Sequence, residues 1–272
     1  MYTRENIENI IVAKLRENSR DLSNQFFSQN NITQTKCFTL DNILPEDCVK
    51  DVYESFPPDN FWNLRDSFRE RKLTFAKLAK LENPIVQYVT DAFQAPAVIS
   101  EISKIVKIDD LYGDRSLYAG GISRMGKGDF LNPHIDNSHD IKRERYRRIN
   151  TLFYVTPDIK ETDGGNFELW DQKVIHPLTI QSKFNRLVVM ETTKTSWHSV
   201  DPVKTDVRRC CVSNYYFSKS SPTGKEYYHV TSFTGRPGQT FRRFYGQIDN
   251  PLRNLFVKLT GFSRGKGLVR QG

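Results

Sequence analysis

The residues of this chain whose types and spacing could do chemistry lie in Asn132-Pro133-His134-Ile135-Asp136-Asn137, with Trp197-His198-Ser199 and Arg208-Arg209 downstream. Residues two apart on an extended chain point to one face. His134 and Asp136 therefore aim an imidazole and a carboxylate at a common point while Ile135 packs the other way. His198 falls in a segment that also reads as a strand end. Two histidines and one carboxylate on one face of an iron leave positions open for a co-substrate and O₂. Arg209, or its neighbour Arg208, then stands where a guanidinium could hold the far carboxylate of a chelating 2-oxo acid. Taken singly, His134 reads as a turn histidine, Asp136 as a surface acid and His198 as a half-buried strand-end residue. The metal reading comes from their conjunction.

These residues need strands to position them. From about Ser116 the pattern turns from helical to extended: 117–123 reads as a strand, 126–129 as a turn and 130–136 as the metal-bearing segment. A polar stretch, 137–148, holds the basic run 142–148, which reads as a solvated loop or an entrance lid. Strand patterns follow at 149–155, 166–170 (after Gly164-Gly165), 175–180, 186–190 and 210–217. Many short strands with turns between them favour a sandwich or barrel. Ahead of them the spacing predicts helices over 1–30, from about 46 to 56, and over 68–82 and 84–107, with Pro96 kinking or splitting the last. A short strand is expected at 37–40 and a final helix at 250–260. His139 reads as a loop residue or a support for a ligand, and His176 and His229 as structural.

With 272 residues, 38% of them hydrophobic and 26% charged, the chain has the composition of a globular domain with a substantial core. No apolar run reaches the ~18 residues of a membrane span, and the N-terminus lacks a signal-peptide core. Cys37, Cys48, Cys210 and Cys211 read as reduced thiols, the last two on opposite faces of a strand, and the expected location is cytoplasmic. The net charge of +8 is concentrated from Arg236 onward, where eight Lys/Arg stand against Asp249 alone. That tail reads as a solvated surface; no nucleic-acid recognition motif accompanies it.

Over about 116–218 the chain resembles the 2-oxoglutarate/Fe(II)-dependent dioxygenase superfamily, in its prolyl-4-hydroxylase-like branch. The marks are Pro133-His134-Ile135-Asp136-Asn137, Leu152-Phe153-Tyr154, Gly164-Gly165, Asn185-Arg186-Leu187-Val188-Val189, His198-x-Val200-x-Pro202, and Arg209 through Tyr215-Tyr216-Phe217. The resemblance implies an α+β fold with a mainly β core, a double-stranded β-helix (jelly roll) flanked by N-terminal helices. The chain is then one catalytic unit: 1–112 helical support, 113–220 core, 221–272 basic extension. It implies that His134, Asp136 and His198 bind Fe(II), that Arg209 binds the distal carboxylate of 2-oxoglutarate, and that Tyr154 hydrogen-bonds the same group. Arg208 is the alternative anchor, since a one-residue slip exchanges a strand's faces. Cys211 replaces the Ser or Thr common two positions after the anchor, and Asp136 argues against a halogenating relative.

The activity so implied is hydroxylation of an unactivated C–H bond, with O₂ consumed, 2-oxoglutarate decarboxylated to succinate and CO₂, and ascorbate as an accessory reductant. The substrate is a small molecule or biosynthetic intermediate, or a protein (prolyl) residue. The sequence carries no repeat or peptide-binding module, which leans toward the former. Two other functions fit less of the sequence. One is a non-catalytic jelly-roll binding module; the other is a nucleic-acid-directed oxygenase using the basic tail. Nothing in the sequence sets the oligomeric state.

Overall fold

The computed structural model describes residues 2–118 and 120–260. Helices α1 (Arg4–Glu17) and α2 (Ser19–Phe27) lead into strand β1 (Cys37–Asp41) and helix α3 (Glu46–Glu54). The hairpin β2 (Asn63–Asp66) and β3 (Glu70–Phe75) precedes α4 (Ile85–Phe93) and α5 (Pro96–Val106). Nine strands follow: β4 (Tyr112–Gly113), β5 (Gly121–Met125), β6 (Phe130–Ile135), β7 (Tyr146–Tyr154), β8 (Phe167–Trp170), β9 (Pro177–Ile180), β10 (Arg186–Glu191), β11 (His198–Val200) and β12 (Arg209–Ser218). β13 (Ser232–Phe233) and α6 (Thr240–Thr260) close the described chain.

Local chemistry explains most helix boundaries. Thr3 and Asn6 cap α1 reciprocally. The single helix expected over 1–30 is interrupted at Asn18, whose side chain bonds the Lys14 carbonyl and competes with the next turn. Pro96 splits the second pattern as expected: Ala95 before it is extended, and Pro96 starts α5. The helix expected over 68–82 is not formed. Residues 70–75 are strand β3, turned back from β2 at Ser67, whose hydroxyl accepts from the amides of Arg69 and Glu70. Pairing with β5 and β6, 47 to 61 residues away, holds this segment extended. Tertiary context overrides local preference there.

The strands form one antiparallel sheet in the order β1-β10-β7-β12-β5-β3-β6-β11-β8-β9, with β2 on β3, β4 on β12 and β13 on β6. It curls on itself, so that Leu152, Val188 and Cys211 of one wall pack against Phe167, Leu169 and Ile180 of the other. This is the double-stranded β-helix, with helices flanking it. Alternation along β12 separates two jobs. Cys210, Val212 and Tyr216 face the helices, in one core with Ile11 of α1, Phe93 of α4 and Ile102 of α5. Arg209, Cys211, Ser213 and Tyr215 face inward. The two adjacent thiols thus sit on opposite faces, as the sequence suggested.

Buried Tyr216 ties the helical layer to the sheet by donating its hydroxyl to the Phe93 carbonyl at 2.6 Å. Tyr216→Phe leaves that carbonyl without a partner, at an expected loss of about 1–2 kcal/mol. Calorimetry should show this as a fall of roughly 2–8 °C in melting temperature.

Candidate active site

The register of two strands brings the histidines together. β11 lies antiparallel to β6 with His198 directly opposite His134, and the ring centroids are 4.1 Å apart. Asp136 follows β6 on the same face as His134. Its Oδ1 lies 3.7 Å from His134 Nε2 and its Oδ2 3.7 Å from His198 Nε2. One donor atom from each residue lies within 4.8 Å of the others. Both rings are tethered from behind: His134 Nδ1 donates to the Asn132 carbonyl at 3.0 Å and His198 Nδ1 to the Ser196 carbonyl at 2.9 Å. The Nε2 lone pairs are left to the shared centre, the tautomer a metal ligand needs.

Electrostatics favour the same state. Burial, then the neighbouring His198, pushes His134 down to about 3, so its imidazole is neutral at physiological pH. Burial likewise lowers His198. Burial alone would raise Asp136, but Arg147 and the two imidazoles outweigh it and hold the carboxyl at about 2. Two neutral imidazoles and one ionised carboxylate whose buried Oδ2 accepts no hydrogen bond make a donor set suited to a divalent first-row metal.

The triad lines a cavity of about 310 Å³ that also contains Asn150, Arg209 and Tyr215. Arg209 is 3% exposed. Its Nε donates to the Gly165 carbonyl at 3.0 Å, and its guanidinium lies 4.8 Å from the centroid of the Tyr154 ring. Gly165 has φ of +71°, and a β-carbon there would lie 3.1 Å from Arg209 Cγ. Glycine thus provides both the turn and the room for the Arg209 stem. Tyr154 continues the inward face of β7, its hydroxyl buried without a partner, and burial raises its pKa. A guanidinium and an orphaned phenol side by side could receive a carboxylate. Arg208, the adjacent alternative, is exposed on the opposite side of the chain.

Sequence reasoning missed Arg147. The run 142–148, expected as a solvated loop or lid, is a turn only as far as Arg145; β7 begins at Tyr146. Arg148 is an extra residue in β7, because Tyr216 pairs with Ile149 while Phe217 pairs with Arg147. This bulge reverses the alternation. It swings Arg147 inward, with its Nη1 3.3 Å from Asp136 Oδ2 and its guanidinium 4.0 Å from the centroid of the Tyr215 ring. Arg148 is also buried and donates to the Ser220 carbonyl. His139 is buried against Ser138 and Tyr146, outside the triad. The His229 carbonyl accepts from the Ser138 amide and its own amide donates to the Ser138 hydroxyl, and His176 is exposed.

The region after Pro222 also reaches the site. β13 pairs with β6, and the Phe233 ring stacks on His134 at 5.1 Å and 16°. Arg236, expected on a solvated tail, instead makes a two-pronged ion pair with Glu168 on β8, at 3.1 and 2.6 Å. Arg243 donates to the Lys173 and Val174 carbonyls. Arg236 ties the segment before α6 to β8, and Arg243 ties α6 to the β8–β9 connection. Arg264, Lys266 and Arg270 lie outside the described residues.

Residues 120–217 match the family model of the 2OG-Fe(II) oxygenase superfamily. No curated protein matches the chain. Among solved structures the chain is similar to a prolyl hydroxylase from Trichoplax adhaerens, in complex with a hypoxia inducible factor oxygen degradation domain peptide fragment. The TM-score is 0.52 at 18% identity, over 79% of this chain and 97% of that one. It is also similar to a prolyl 4-hydroxylase from Phytophthora capsici, with a TM-score of 0.52 at 16% identity, covering 95% of this chain and 80% of that one. At these identities the likeness establishes the fold, that of the prolyl hydroxylases. The superfamily likeness is carried by that matched core, about a third of the chain.

Proposed function

We propose that His134, Asp136 and His198 hold Fe(II), that Arg209 with Tyr154 receives the distal carboxylate of 2-oxoglutarate, and that the chain hydroxylates an unactivated C–H bond of a small molecule or a peptide side chain. The observation that carries this reading is the meeting of three donors within 4.8 Å at a cavity whose wall holds a buried guanidinium. Bound Fe(II) supplies the redox chemistry that couples O₂ and the decarboxylation of 2-oxoglutarate to substrate oxidation. The chain's own residues do the positioning. The Asn132 and Ser196 carbonyls fix the two imidazoles, and Arg147 holds Asp136 ionised and oriented. Phe233 covers one face of His134, and Leu131, Leu152, Phe167 and Val200 make the apolar lining that keeps competing water away.

The cavity is at the small end of the range for ligand pockets, which suits a small substrate or a single inserted side chain. An intact donor set beside an anchoring arginine does not fit a binding module that has lost its chemistry. Among the described residues no helix is long and apolar enough to cross a membrane. The four cysteines are free thiols, and a cytoplasmic location belongs to this reading.

Anaerobic titration of the protein with Fe(II) and then 2-oxoglutarate should give the visible charge-transfer band of a chelated 2-oxo acid. Admitting air, with ascorbate present, should give succinate. Protein that binds neither Fe(II) nor 2-oxoglutarate would refute the reading.

A further inference from the structure

The hairpin of β2 and β3 is charged on both faces, and only one face is balanced. On the outer face Asp66 is the cross-strand partner of Arg71, opposite charges directly across from each other. On the cavity face the partners are Arg65 and Lys72. Like charges directly opposite on a hairpin destabilise it, so this pair needs an explanation. Glu70, the carboxylate between them, is shared: it lies 3.1 Å from Lys72 and 3.7 Å from Arg65.

The wider rim repeats the arrangement, with Asp249 shared between Arg69 at 2.5 Å and Arg253 at 3.7 Å. Lys72 and Arg65 line the cavity of the triad, and the Lys72 ammonium is close enough for its charge to act on His134, Asp136 and His198. Loading the site does not use this charge. A divalent metal, Asp136, Arg209 and the 2-oxoglutarate dianion cancel among themselves, and the rim keeps its surplus.

We propose that Lys72 and Arg65 bind an anionic group, carboxylate or phosphate, on the substrate at the mouth of the oxygenase site. The proposal rests on the reading above and narrows its substrate to acids and phosphate esters. One carboxylate shared by two cations leaves a surplus positive charge, and a substrate anion beside Glu70 neutralises it. That anion also fixes which end of the substrate faces the triad, so the C–H bond to be oxidised lies a cavity's depth from the charge.

The test uses the full chain loaded anaerobically with Fe(II) and 2-oxoglutarate, titrated by calorimetry with benzoate, phenyl phosphate and the neutral benzamide. At least one anion should bind about fivefold or more tighter than benzamide, with the preference shrinking as salt rises. Comparison of the two anions identifies the group. Lys72→Met and Arg65→Met should each remove most of that preference, Arg65→Met with 2-oxoglutarate affinity unchanged, and Lys72→Arg should keep it. Equal binding of benzamide and both anions, or an undiminished preference in both methionine variants, would overturn the proposal. Loss of the charge-transfer band in the wild type would instead sink the oxygenase reading itself. The two failures are thus separable.

Discussion

His198→Ala is expected to leave a folded protein that no longer retains Fe(II) and forms no succinate from 2-oxoglutarate. His198 sits opposite His134 in the sheet and its Nε2 faces Asp136 at 3.7 Å. Its loss leaves a two-donor site. Residues that merely orient a ligand are worth about 10- to 100-fold in metal affinity, so removing a donor should weaken Fe(II) binding by more than about 100-fold. The fold should survive, because β11 keeps its backbone pairing to β6 and β8. Calorimetric Fe(II) titration with circular dichroism checks both halves. A variant that binds Fe(II) as the wild type does would remove His198 from the ligand set.

The second large effect falls on Arg209. Truncating one partner of a buried, hydrogen-bonded charge pair costs about 2–5 kcal/mol, so Arg209→Ala should raise the KM for 2-oxoglutarate by roughly 30-fold to several thousand-fold. Fe(II) affinity should be nearly unchanged. Arg209→Lys should recover little, since an ammonium cannot reproduce the two-pronged contact. Arg208→Ala serves as the control: its side chain is exposed, and its KM should match the wild type. If Arg208→Ala carries the defect instead, the anchoring role assigned to Arg209 is wrong.

Much of this site was legible in the sequence because its chemistry follows strand alternation. His134 and Asp136 needed only the two-residue period, and the adjacency of Arg208 and Arg209 reduced the proposed anchor to a choice between faces. What stayed hidden depended on departures from regularity or on distant pairing. Arg147 lies on the wrong parity for an inward residue, and only the extra residue at Arg148 turns it toward Asp136. The β2–β3 hairpin shows almost no apolar alternation across Glu70-Arg71-Lys72, and it is extended because β5 and β6 hydrogen-bond to it. The tail's charges look solvated in one dimension, and the partner of Arg236, Glu168, lies 68 residues away.

The strand pairing also makes the unit that folds larger than the stretch that matches the family model. The stretch that carries the family likeness, 120–217, contains neither β1, which borders β10, nor β3, which bridges β5 and β6, nor β13, which borders β6. Excised, it would present naked backbone donors and acceptors along three strands, the kind of edge on which chains aggregate. The matched stretch is therefore not an autonomous folding module: β1, β3 and β13 are rungs of the same ladder.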